Sequence, residues 1–154
     1  MVIALPTKYL IPLVLAVILS SALIFQSCAS SKKWKKHIEG PIIFGSMGGF
    51  VGSFDEYTIN QDGNVHYRAS LKGERIMVQK LEDDIKKSIF EKIKTDEIYV
   101  ESIDEPGNMT FFIKFNYKSE PFHLQWGGQY DPSTRLLGYY NFLRSQIRSK
   151  DPVM

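Results

Sequence analysis

Met109-Thr-Phe-Phe-Ile-Lys-Phe-Asn-Tyr117, with Pro121-Phe-His-Leu-Gln-Trp126 close behind it, sets the architecture of the whole chain. Met109, Phe111, Ile113, Phe115 and Tyr117 occupy alternate positions, as do Phe122, Leu124 and Trp126. Successive side chains of a strand point to opposite faces, so each run has one face to bury and one to present. The pair reads as an antiparallel hairpin with an aromatic ladder on its inner face. A loop over residues 118–121 sets Tyr117 opposite Phe122, Phe115 opposite Leu124 and Ile113 opposite Trp126. His123 then lies outward beside Asn116, with Lys114 and Gln125 on the same outer face.

A second hairpin lies upstream. Tyr57 and Ile59 face inward before the turn and Val65 and Tyr67 after it, so inward residues pair only across an odd-numbered loop. Gln61-Asp62-Gly63, with Gly63 in the left-handed region, meets that condition and places Thr58 opposite His66 on the outer face. Phe50 and Phe54 have the other parity, which predicts a β-bulge near Asp55-Glu56. Before them, Ile42-Ile43-Phe44 is a short strand leading into Gly45-Ser-Met-Gly48-Gly49-Phe-Val-Gly52. These glycines match neither dinucleotide nor P-loop spacing, so they read as a turn or bulge that needs positive φ or close backbone approach.

Arg75–Lys80 and Ile98–Val100 complete the strand candidates. Leu81, Ile85, Ile89 and Ile93 recur every four residues with acids first and lysines last, the pattern of an amphipathic helix, with Glu82–Lys86 and Asp83–Lys87 as expected ion pairs. A closing helix begins at Asp131-Pro132 as N-cap and first residue and buries Leu136, Tyr140, Leu143 and Ile147; Gly138 in its middle costs ~1 kcal/mol relative to Ala, tolerable if the helix backbone lies close on the sheet. The expected fold is α+β: a twisted antiparallel β-sheet with two helices packed on one face, as a single domain over residues 41–150.

From His37 onward there are 14 basic and 17 acidic residues, a net charge of −3, and the remaining basic residues precede the domain. That balance argues against a nucleic-acid partner, whose phosphates must be neutralised. His37, His66 and His123 are scattered, and none has the spacing of a metal pair. Asn60-x-Asp62-x-Asn64 lacks the glycine and terminal glutamate of a calcium loop. No cofactor or metal is expected, and no motif marks a nucleophile with its base. A hydrolase using His66 or His123 as base is the enzyme alternative, resting only on their outward placement.

Residues 1–27 have the layout of an export signal: Lys8, an uncharged apolar run from Leu10 to Phe25, then Gln26-Ser27 before Cys28. Leu10–Phe25 falls short of the ~20 residues that span a bilayer as a helix. Lys32, Lys33, Lys35 and Lys36 follow the run, a bias that favours retention of the C-terminal part in the cytoplasm if the segment is an uncleaved anchor. Cys28 is the only cysteine, so no intramolecular disulfide forms.

Ile24-Phe25-Gln26-Ser27-Cys28 resembles the lipobox of bacterial lipoproteins, in the relaxed form similar to that of Bacteroidota. The resemblance implies cleavage before Cys28 and lipidation of its thiol, with residues 28–40 as a tether on which Lys32, Lys33, Trp34, Lys35 and Lys36 meet the membrane surface. Gly48-Gly49-Phe50-x-Gly52, Asp62-Gly63, Pro106-Gly107-Asn108-Met109 and Trp126-Gly127 resemble a group of short, uncharacterised Bacteroidota lipoproteins. The resemblance implies a place rather than an activity: a cell-envelope protein on the periplasmic side of the inner or outer membrane, held by lipid. Its domain is expected to be a non-catalytic binding or structural module for an envelope protein or glycan. Gly48, Gly49, His66, Lys114, His123 and Gln125 form the expected contact surface.

Overall fold

The computed structural model describes residues 37–129 and 131–147. The leader, Cys28 and the basic tether lie outside the described residues. Six strands form one sheet: β1 (Ile38–Gly48), β2 (Ser53–Ile59), β3 (Asn64–Arg68), β4 (Ile76–Lys80), β5 (Met109–Tyr117) and β6 (Glu120–Trp126). Their order across the sheet is β4-β3-β2-β1-β5-β6, with every strand pair antiparallel. Helix α1 (Asp83–Thr95) and helix α2 (Thr134–Gln146) complete an α+β fold. Among the described residues no helix is long and apolar enough to cross a membrane.

The core follows from strand parity. Ile42 and Phe44 of β1, Ile59 of β2, Val65 of β3, Ile113 and Phe115 of β5, and Leu124 and Trp126 of β6 share one face. Ile89, Phe90 and Ile93 of α1 and Leu136, Tyr139 and Leu143 of α2 close over it. Both helices therefore lie on one side of the sheet. Burying such side chains contributes ~1.5–3 kcal/mol each, the term that holds the layers together.

The upstream hairpin has the register its turn chemistry dictates: Ile59 faces Val65, Tyr57 faces Tyr67 and Thr58 faces His66. Gly63 sits at φ 87°, its amide donates to the Asn60 carbonyl, and the Asp62 carboxylate accepts from the Asn64 amide. The downstream hairpin differs from expectation by two residues. Tyr117 pairs with Glu120, Phe115 with Phe122, Ile113 with Leu124 and Phe111 with Trp126. Only Lys118 and Ser119 form the loop, at φ 51° and 68°, a type I′ arrangement whose twist matches the flanking strands. A shift of two preserves parity, so the same residues remain inward, but His123 faces Lys114 rather than Asn116.

Other local expectations are corrected. The β1–β2 register runs unbroken through Asp55 and Glu56, so no bulge lies there. Phe50 belongs to a turn and Phe54 to the helix-free face, which removes the parity conflict. The irregularities fall instead between Glu39 and Ile43 of β1 and opposite Val65–His66 of β3, where Val78 is the extra residue of β4. Ile98–Val100 is a 3-10 turn following Glu97 in the left-handed region, not a strand. Its Tyr99 stacks on Tyr117 at 4.4 Å.

Helix α1 starts at Asp83, two residues after Leu81, and its Lys86 turns to Asp83 at 2.5 Å, not to Glu82, while Lys87 stands 4.0 Å from Glu91. The N-cap of α2 is Ser133, whose hydroxyl accepts from the Leu136 amide, two residues beyond Asp131. Gly138 faces open space rather than the sheet. The strand that opens the domain begins at Ile38, ahead of Pro41, because Ile38 is itself buried in the core.

Candidate functional site

The face of the sheet without helices carries four of the six residues expected to make contacts, His66, Lys114, His123 and Gln125, while Gly48 and Gly49 lie at the turn that ends β1. One cross-strand row runs Met77, His66, Thr58, Ile43, Lys114, His123, and the next runs Arg68, Glu56, Gly45, Phe112, Gln125. His66, Lys114, His123 and Gln125 thus share this surface. The sequence pattern predicts a polar face; the structure interleaves Ile43, Met47, Phe54 and Phe112 among the polar side chains. β1 and β2 occupy the centre, where both faces of a strand are crowded, and Thr58 is only 6% exposed.

Glu56 is the buried charge of this face. It is 6% exposed, and its two carboxylate oxygens accept from Arg68 Nη2 at 2.8 Å and Arg75 Nη2 at 3.0 Å. Arg68 also donates through Nη1 to the Leu71 carbonyl and lies 5.3 Å from the Phe54 ring centre. Its Nε is buried without a hydrogen-bond partner. The sequence pattern misses this trio because it puts Glu56 at a bulge, where register would not bring it to Arg68.

The two candidate bases stand apart from each other and from both clefts. His66 Nδ1 is 3.5 Å from Asn60 Nδ2. His123 is held below the usual imidazole range by partial burial and by Lys114 across the strand pair, with Asp104 pulling the other way. Gln125 donates to Asp104, whose segment runs along the β6 edge. A cleft of about 330 Å³ near Glu101, Asp104 and Ser133, and one of about 450 Å³ at the far end of the sheet, are lined by neither histidine. Among the described residues no group of His, Cys, Asp and Glu could hold a metal ion.

The far end is built by glycines. The amide of Gly49 donates to the Asn108 carbonyl at 2.6 Å and that of Gly52 to Gly49 at 3.0 Å, closing a turn around Phe50 and Val51. Gly48, Gly49 and Gly52 all have positive φ, and a Cβ on Gly48 would lie 2.1 Å from the Asn108 carbonyl oxygen. Both reasons expected for glycine, positive φ and close approach, operate here. No family model matches the chain, and no curated protein matches it.

Proposed function

We propose that this chain is a lipid-anchored protein of the bacterial cell envelope, held through Cys28, whose domain is a non-catalytic binding or structural module. The anchor reading is supported by the leader and its lipobox-like end. The contact reading is carried by one observation: Ile43, Met47 and Phe54 lie only half buried on a sheet face that no helix covers. The water-facing side of an antiparallel sheet is ordinarily polar, and an apolar patch rimmed by polar groups marks a contact surface. Lys114, His66 and His123 supply that rim.

The occupant is an envelope protein or glycan that covers the apolar centre and meets the polar rim. A photo-crosslinking residue at Lys114 or His123, in the full chain expressed in its own envelope, should form a discrete adduct. The same group at Glu91, exposed on α1, should not. Adducts of equal yield from both faces, or from neither, would overturn the reading.

A further inference from the structure

The two edges of the sheet are finished differently. Along β6 a segment of the chain itself, residues 103–105, closes the edge: the Gln125 amide donates to the Ile103 carbonyl and the Glu105 amide to the Gln125 carbonyl, both at 3.0 Å. Strand β4 is the other terminal strand, and among the described residues it has a strand neighbour on one side only. Ile76 and Met77 are each 56% exposed on it. An open edge with apolar side chains is a template for one more extended backbone.

Helix α2 delivers such a backbone to this edge. It crosses the sheet from β1, where Tyr140 bonds to the Gly45 carbonyl, over β2, where Arg144 lies 5.5 Å from the Tyr57 ring centre, to β4, where the Gln146 carbonyl accepts from Gln79 Nε2 at 3.2 Å. Ile147 then leaves the helix with extended backbone, at φ −92° and ψ 116°. Gln79 is the last residue but one of β4, so a chain continuing from there meets the length of the strand only by running back toward Ile76. The five residues of β4 span ~17 Å, and residues 148–154 reach ~23–25 Å when extended, enough to follow it.

We propose that residues 148–154 pair antiparallel with β4 as a seventh strand of the sheet. With Ile147 level with Gln79, Ser149 falls beside Met77, Lys150 beside Ile76 and Asp151 beside Arg75. Arg75 is half exposed with Nη2 on Glu56, and it presents the rest of its guanidinium to Asp151. Lys150 lays its aliphatic stem on Ile76 and keeps its charge in water. The added strand closes β4 to edge-to-edge pairing with a second chain. The inference concerns the folded domain and rests on neither the anchor nor the partner proposed for the sheet face.

The test is amide hydrogen exchange of the full chain in detergent, compared with a chain stopped after Ile147. The β4 amides should exchange at least tenfold faster in the stopped chain, while those of β2 and β5 exchange alike in both. Two proline variants of the full chain keep the test decisive even if the stopped chain fails to fold. Alternate residues of a strand turn their N–H groups toward a given neighbour, so only one of Ser149→Pro and Lys150→Pro should release β4. Asp151→Lys should also speed β4 exchange several-fold. Equal β4 exchange in the full chain and a folded stopped chain, or the same effect from both prolines, would overturn the proposal. Protection of β4 that grows with protein concentration would overturn it too, because a second copy would then occupy the edge.

Discussion

The phenol of Tyr140 donates a hydrogen bond to the carbonyl of Gly45 at 3.2 Å, tying the closing helix to the central strand. Its ring also meets Phe44, Phe111 and Trp126 edge-on, at centroid distances of 6.1, 5.7 and 5.2 Å. Tyr140→Phe keeps those contacts and removes only the hydroxyl. It should lower stability by ~1 kcal/mol, the usual net value of such a bond, read as a lower urea midpoint with unchanged slope.

Three tyrosines make the fold sensitive to alkali. Burial raises Tyr140 to about 12; burial and then the bond to Asp55 raise Tyr67 to about 12; and burial raises Tyr139 well above its ordinary value. Each folded-state value lies above the unfolded one, so the stabilisation is fully present below pH ~10 and is lost as pH rises toward 12. Thermal midpoints should be flat from about pH 8 to 9.5 and fall steeply above ~10. Tyr139→Phe and Tyr140→Phe should each reduce that slope.

Glu56 and its two arginines separate a buried pair from an exposed one. Glu56→Ala leaves the largely buried Arg68 without its carboxylate and should cost ~3 kcal/mol, the lower end for broken buried pairs. Arg75 is half exposed, so Arg75→Gln should cost less than ~1 kcal/mol. Chemical denaturation of the two variants compares them directly.

Two glycines should respond oppositely to alanine. A Cβ at Gly45 would sit 1.8 Å from the Asp55 carbonyl oxygen, so Gly45→Ala should destabilise by ~3 kcal/mol or more. Gly138 is helical with nothing within 4 Å, so Gly138→Ala should stabilise by ~0.5–1 kcal/mol. Equal effects at the two positions, measured by urea unfolding, would contradict the packing described.

The Lys118-Ser119 turn places two ordinary residues at positive φ. The double substitution Lys118→Asn with Ser119→Gly should raise the stability read from thermal unfolding by ~1 kcal/mol or more, since a left-handed L-residue costs about 1–2 kcal/mol. The same turn explains why one hairpin is legible in the sequence and the other is displaced. Asp62-Gly63 states its own geometry, whereas Lys118-Ser119 carries no turn signal, and alternation alone fixes parity but not register. The layer arrangement is legible because the stripes of Ile89–Ile93 and Leu136–Leu143 and the aromatic alternation of β5 are local patterns. Ile98-Tyr99-Val100 reads as a strand by composition, yet stacking of Tyr99 on Tyr117 draws it into a turn. The expected contact residues His66, Lys114, His123 and Gln125 do share the helix-free face. The apolar centre among them is not legible, because Ile43, Thr58 and Lys114 become neighbours only when three distant strands pair.

Whether Cys28 carries the membrane anchor is decided by the intact mass of the membrane-extracted protein. The expected species is a chain beginning at Cys28 with diacylglyceryl and acyl groups added, both lost in Cys28→Ala. A full-length, unlipidated chain in the membrane would refute lipid anchoring and make residues 10–25 an uncleaved anchor.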